Sequence, residues 1–240
     1  PYFHTISYEQ IQTYVSSGDG TLCGTTVATN NQAPAVAMPA EGKVIPINTP
    51  FELTAAATDA DNDTLSFSWE EFDLGPAGDP RFPSGQAPIF RSFLPTASPT
   101  RTFPQWQDLV NNTQTIGEIL PAYTRLLNFR FTARDNYALG GGVSYDSYLL
   151  SVTSIAGPFK VLSPNTALTW RAGDIELVTW DVANTNIAPV SCSNVDIMLS
   201  LDKGKSRPVN LAKMDERRDL SSALGKIISI TPCSNKNSLR

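Results

Sequence analysis

The sequence contains a single histidine, His4, among its 240 residues. A zinc peptidase of the His-Glu-x-x-His type needs two imidazoles one helical turn apart, so that both nitrogens reach one metal. A Ser-His-Asp hydrolase needs its imidazole beside an activated serine, and His4 has no Gly-x-Ser-x-Gly motif near it. The chain therefore lacks a zinc ligand set, and we expect it to contain no catalytic residue.

A hydrolase that works through two carboxylates is the remaining enzymatic alternative. Sequence cannot measure how far apart two carboxyl groups lie, so no pair stands out. The simpler interpretation is that the acidic residues of the chain form turns or lie at solvated strand edges. The acids available for such a pair are Glu70, Glu71, Asp73, Asp135 and Asp146.

Charged residues are also scarce, at 17%, and the formal net charge is −5. Lysine and arginine are scattered over most of the chain, so no surface is built to neutralise phosphates, and nucleic acid is not an expected partner. No apolar run approaches the roughly 20 residues that cross a bilayer. We expect no membrane span, and a signal peptide, if the protein is secreted, would precede residue 1.

The chain has three cysteines, Cys23, Cys192 and Cys233. An odd number in a secreted chain indicates a free thiol or a partner outside the sequence. Three reduced thiols in a cytosolic protein are the alternative. The rest of the sequence favours a secreted, extracellular protein.

Short segments of alternating apolar and polar residues, separated by many of the 18 prolines and 15 glycines, predict β-strands. Ser7, followed three residues later by Gln10, predicts the N-cap of a short helix. The predicted strands lie at 44–47, 51–54, 65–69, 127–132, 148–152, 159–162, 177–182, 195–200 and 226–231.

These patterns predict an all-β chain of two tandem immunoglobulin/fibronectin-like antiparallel sandwiches with a short N-terminal helix. Residues 1–32 would be the last helix of an upstream domain plus a linker. Residues 33–156 would form the first sandwich, with a long, proline-rich, ordered insertion at about 73–125 and a short helix near Trp106. Residues 158–240 would form the second sandwich, which is atypical at its C-terminal end.

The segment Asp59-Ala60-Asp61-Asn62-Asp63 places alternating acids on a tight turn. Hard carboxylate oxygens on one side of a turn are the ligands that Ca²⁺ prefers. Asp135, at the end of another strand, is a possible fourth ligand if the two loops meet. An Asx-rich turn without metal is the alternative.

Tryptophans raise the question of carbohydrate binding, because aromatic rings can serve as platforms for sugars. Trp69 and Trp180 follow strand alternation and are expected in the core. Trp170 is expected to pack on a turn, which leaves Trp106 as the plausible surface platform.

Several phrases resemble the region that follows the catalytic domain of secreted bacterial reprolysin-like zinc metallopeptidases. In the first part of the chain these phrases are residues 2–4, 7–11, 23–25, 58–65, 69–76 and 90–104. Three later phrases, at 163–164, 170–173 and 178–185, resemble the fibronectin-like modules that often follow. The resemblance ends near Ser206.

This resemblance implies a non-catalytic accessory region that serves as spacer, stabiliser or substrate-engaging module. Zinc would be held only by an upstream peptidase domain of the same polypeptide, which would also supply the partner of Cys23. Cys192 and Cys233 would then pair, closing a loop of about forty residues worth roughly 3 to 4 kcal/mol. The alternative function is a carbohydrate- or surface-adhesion module, with an extracellular protein or polysaccharide as partner.

Overall fold

A computed structural model describes residues 2–25, 27–166, 169 and 177–200, together with the backbone of three strand segments at 209–215, 220–221 and 228–232. Two α-helices occur in this described part, α1 (Thr5–Ser17) and α2 (Trp106–Asn111). The strands up to residue 153 are β1 (Ala35–Ala37), β2 (Val44–Pro46), β3 (Phe51–Thr54), β4 (Ala56–Thr58), β5 (Ser66–Glu71), β6 (Thr100–Phe103), β7 (Arg125–Arg134) and β8 (Val143–Thr153).

The largest sheet of this first part has the strand order β2-β8-β7-β5. β8 pairs antiparallel with β7 along the full length of β7, whereas β2 joins β8 in parallel. Two further antiparallel pairs, β1 with β4 and β3 with β6, complete the first part. The sheets are thus mixed and antiparallel, and one of them curls into a half-barrel.

Aromatic rings fill the core between these sheets. Phe103 is fully buried, with its ring centroid 5.0 Å from Phe51, 4.9 Å from Phe90 and 4.8 Å from Phe129. The predicted core position of Trp69 is confirmed, since this side chain is 2% exposed. Because Phe90 and Phe103 come from the proline-rich insertion, that segment is part of the core rather than an appendage to it.

The second part contains β9 (Lys160–Ser163), β10 (Leu177–Asp181), β11 (Asn194–Leu199), β12 (Val209–Asp215), β13 (Leu220–Ser221) and β14 (Ile228–Pro232). They form two three-stranded sheets, β13-β10-β9 and β12-β11-β14. Phe159, Val178, Trp180, Val195 and Ile197 make a second buried cluster. The prediction that Trp180 is a core residue is therefore confirmed.

The prediction of two tandem immunoglobulin/fibronectin-like antiparallel sandwiches is wrong. The parallel pairing of β2 with β8 and the division into several small sheets do not match that architecture. Alternation located the strands, but it specifies which face of a strand is buried and not which strand lies beside it. The insertion then supplies β6 as the partner of β3, a pairing that no local pattern announces.

The predicted N-terminal helix is present, but it starts at Thr5 and its N-cap is His4 rather than Ser7. The cap comes from elsewhere in the chain: the buried carboxylate of Glu70 accepts a hydrogen bond of 3.1 Å from the Thr5 N–H. A carboxylate at a helix N-terminus satisfies a free donor and complements the helix dipole. This arrangement docks the start of α1 on the β5–β7–β8 face.

Buried acids organise the insertion. Glu71 accepts hydrogen bonds of 2.7 and 2.6 Å from the backbone N–H groups of Ile89 and Phe90. Arg125 contacts Glu71 and Asp73 at 3.3 and 3.1 Å, with all three side chains at most 2% exposed. Glu71 and Asp73 are thus buried partners of backbone N–H and guanidinium groups, and the interpretation of these two acids as turn formers or solvated edge residues was wrong.

Candidate metal centre

The loop between β4 and β5 brings the three predicted aspartates together. One carboxylate oxygen each from Asp59, Asp61 and Asp63 lies within 4.8 Å of the other two. Asp59 Oδ1 shapes the loop by accepting hydrogen bonds from the Asp61 and Asp63 N–H groups, at 2.9 and 3.0 Å. Asn62 takes a left-handed conformation, with φ of 62°, which asparagine tolerates better than most residues.

Two carboxylate oxygens of this loop are buried without a hydrogen-bond partner. They are Asp59 Oδ2 and Asp63 Oδ2, and the side-chain oxygen of Asn31 is in the same position. A buried acceptor that has lost water and gained no donor is costly, most of all when it carries charge. The donor set therefore fits a bound cation, which would satisfy oxygens that the described residues leave unpaired.

The linker before β1 is held against this loop. The Gln32 N–H donates to Asp61 Oδ2 at 2.7 Å, and Asn31 Nδ2 donates to Asp135 Oδ2 at 2.7 Å. The linker, the β4–β5 loop and the β7–β8 loop consequently meet at one place. Sequence composition marked residues 24–34 as a linker but gave no sign of this attachment.

Asp135 lies close to the aspartate group without belonging to it. Its buried carboxylate accepts hydrogen bonds from the N–H groups of Tyr137, at 3.0 Å, and Gly142, at 2.9 and 2.8 Å. A Cβ at Gly142 would lie 2.7 Å from Asp135 Oδ2 and 2.6 Å from Ala33 Cα, so glycine is needed there. The role of Asp135 as a fourth ligand stays a prediction.

The two kinds of aspartate differ in their electrostatics. The pKa of Asp63 is raised by burial and by the nearby charges of Asp59, Asp135 and Asp61. Burial also acts to raise the pKa of Asp135, but hydrogen bonds from Tyr137, Asn31 and Gly142 outweigh it and lower that pKa. Asp63 thus lacks the hydrogen-bond donors that lower the pKa of Asp135.

The remaining predicted residues lie apart from this centre. Cys192 is buried in the segment before β11, while Cys233 lies outside the described residues, so their pairing stays a prediction. Cys23 is an exposed free thiol. Trp170 also lies outside the described residues, and Asp146 is exposed on β8.

The residues around the candidate site that sequence reasoning missed are Asn31, Gln32 and Gly142. No motif connects them to the Asp59–Asp63 segment, because the contacts depend on how the loops meet. Asparagine and glutamine just before a β-strand were the available signal, and this signal is weak.

No protein-family model matches the chain, and no curated protein is significantly similar to it. None of the described helices is long and apolar enough to span a membrane.

Proposed function

We propose that this chain is a non-catalytic accessory region of a secreted zinc metallopeptidase, and that its Asp59, Asp61 and Asp63 loop holds a structural calcium ion. The observation that carries the calcium site is the pair of buried, unpartnered oxygens on Asp59 and Asp63. The accessory role is supported by the sequence phrases that resemble such peptidases.

Calcium suits this loop better than magnesium or zinc. Ca²⁺ accepts about six to eight oxygen ligands in flexible geometry, whereas Mg²⁺ demands near-ideal octahedral coordination. Zn²⁺ prefers nitrogen and sulfur ligands, and the three clustered residues offer only oxygen. Asn31 Oδ1 is an additional oxygen available close to the loop, and water would complete the coordination.

The ion's proposed role is mechanical. Three carboxylates within five residues repel one another, and a divalent cation converts that repulsion into attraction. Since Gln32 and Asn31 hydrogen bond to Asp61 and Asp135, a rigid loop also fixes the linker. The proposed function of the ion is therefore to hold the segment that precedes β1 in a defined position against the β4–β5 and β7–β8 loops.

Calorimetric titration of Ca²⁺ into chelator-treated protein tests the site. We expect one ion per chain in the parent protein and binding at least about tenfold weaker in Asp59→Asn/Asp63→Asn, because two charges are lost while side-chain size is kept. Asp146→Asn, which removes an exposed acid outside the loop, should bind as the parent does. Unchanged Ca²⁺ affinity in the double variant would show that Asp59 and Asp63 do not bind the ion.

The accessory role has a separate test in the coding sequence that precedes residue 1. A His-Glu-x-x-His helix in the same reading frame supports it, since that motif supplies the zinc ligands that this chain lacks. A signal peptide directly before residue 1 would refute it.

A further inference from the structure

The linker between α1 and β1 contains residues whose backbone is open to solvent. Gly24, Thr25, Val27 and Ala28 are exposed, lie outside any helix or strand, and make no hydrogen bond within the described part of the chain. A Cβ added at Gly24 would have no atom within 4 Å, so open space surrounds the backbone there. Exposed backbone without hydrogen bonds is where proteolytic cutting concentrates.

The linker is fixed on both sides of these residues. Before them, the N–H and the hydroxyl of Thr21 donate to Gly18 O, directly after α1, at 3.1 and 2.9 Å. After them, the Asn31 amide donates to Asp135 and the Gln32 N–H donates to the β4–β5 loop. The open residues therefore form a short connection between two attached segments.

Val27 is the side chain of this connection that a peptidase can recognise. It is 76% exposed, and its neighbours in the linker are glycine, threonine, alanine and asparagine. A valine side chain fits the small, apolar specificity pocket of elastase-type serine peptidases. The trypsin type needs a cationic side chain and the chymotrypsin type a large apolar one, and residues 24–30 contain no lysine, arginine or aromatic residue.

Exposure of a side chain is not sufficient for cutting, and the β7–β8 loop provides the comparison. Leu139 in this loop is 77% exposed, almost as Val27 is. Its loop is closed by hydrogen bonds, because the Gly140 N–H donates to Tyr137 O at 3.3 Å and the Tyr137 N–H donates to Asp135 at 3.0 Å. A closed loop has to open before a peptidase can bind its backbone, whereas the linker is already open.

The attachment of α1 to the sheet depends on this linker. Thr5 is the one buried residue of α1, and residues 10–17 are exposed on all sides. The Glu70 carboxylate accepts from the Thr5 N–H, and Arg130 donates to Glu9. A short linker keeps such partners at an effective concentration of about millimolar, and this advantage is lost when the chain is cut.

We propose that the Val27–Ala28 bond is a processing site for an elastase-type serine endopeptidase, and that its hydrolysis releases α1. Water adds across the amide bond, so that Val27 gains a carboxylate and Ala28 gains a free amine. Release of residues 1–27 uncovers Glu70 and Arg130, which are 1% and 6% exposed while α1 is docked. The inference goes beyond the calcium site and does not depend on it.

Limited digestion with pancreatic elastase, followed by mass spectrometry of the new N-termini, tests the site. We expect an N-terminus at Ala28 that appears at least about tenfold faster than one at Gly140. Val27→Asp should slow the appearance of the Ala28 terminus at least about tenfold, because a carboxylate does not fit a small apolar pocket. Leu139→Asp, the same change at an equally exposed position, should be cut at Ala28 as fast as the parent protein.

Gel filtration of the cut parent protein tests the release of α1. Residues 1–27 should elute apart from the piece that begins at Ala28. The proposal is refuted if no Ala28 terminus forms, if it forms equally fast in Val27→Asp, or if the Gly140 terminus forms as fast in the parent. Co-elution of residues 1–27 with the remainder would refute the release. None of these outcomes bears on calcium binding, which is measured separately.

Discussion

Glu71 and Asp73 are two buried carboxylates that share the guanidinium of Arg125. Burial, together with the hydrogen bond to Asp73, raises the pKa of Glu71 to about 8. Because the ordinary value is 4.5, the folded protein holds a proton on Glu71 in a pH range where the unfolded chain has released it. The stability that this proton contributes is fully present below about pH 4.5 and is lost as pH rises through 8.

We therefore predict that the free energy of unfolding falls between about pH 5 and 8, by at most roughly 1.4 kcal/mol per pH unit from this group. Glu71→Gln imitates the protonated side chain and should flatten this part of the profile, whereas Glu41→Gln, at an exposed position, should leave it unchanged. Urea unfolding at a series of pH values measures the effect. A slope in Glu71→Gln as steep as in the parent protein would show that another group is responsible.

Single residues also show where sequence reasoning succeeds. The three loop aspartates could be predicted because their ligand chemistry and spacing are contained in five consecutive residues. Asn31 and Gln32 could not, since their importance arises from contacts 104 and 29 residues along the chain. The burial of Glu70, Glu71 and Asp73 could not be predicted either, because sequence does not show whether a carboxylate binds water or a distant backbone N–H.

Among the elements, α1 depends on contacts with distant strands. Ile11, Tyr14 and Val15 are exposed, so little apolar burial holds most of the helix in place. Its first turn is held by Glu70, and Arg130 on β7 donates to Glu9 at 2.8 Å. An isolated helix of this length is marginal in water, so these polar contacts decide whether it forms.

We predict that Glu70→Ala releases α1 while the large sheet stays folded. Loss of the buried carboxylate that caps the first turn should lower the amide-exchange protection of residues 8–17 at least about tenfold. Glu9→Gln removes the more exposed end of the same network and should change protection by about twofold or less. Hydrogen exchange resolved by residue makes the comparison, and equal protection of α1 in Glu70→Ala and the parent would contradict this account.

The strands differ in how far local sequence patterns predict them. The alternating segments near residues 44, 51, 65, 127 and 148 all form strands, because the alternation of apolar and polar residues within each segment indicates a buried and an exposed face. β6 was not predicted as a strand, although it contributes Phe103 to the core, because Thr100–Phe103 is short and lies among prolines. Its pairing with β3 is determined by tertiary packing.

At the scale of the whole molecule, the described residues form two buried clusters. The larger one lies among β2 to β8, and the smaller one surrounds Trp180. Two hydrogen bonds also link the first part of the chain to the second. Phe159 N–H donates to Thr49 Oγ1 at 3.0 Å, and Gly157 N–H donates to Ala183 O at 2.8 Å. The predicted boundaries at 32 and near 157 remain predictions, as does the secreted location.

We propose that calcium joins the linker, the β4–β5 loop and the β7–β8 loop into one unit. A ligand that binds the folded state alone, present at about one hundred times its Kd, adds about 2.7 kcal/mol of stability. For a chain of this size, that corresponds to a rise in Tm of roughly 5 to 10 °C. Magnesium should give a smaller rise, because the loop does not impose octahedral geometry.

The most direct test is a thermal melt in calcium against a melt in chelator, made on the parent protein and on Asp61→Ala. Asp146→Ala serves as the matched control for the loss of one exposed acid. We expect a calcium-dependent rise in Tm in the parent and in Asp146→Ala that is absent in Asp61→Ala. An identical Tm of the parent protein in calcium and in chelator would contradict it and leave the segment as a metal-free Asx turn.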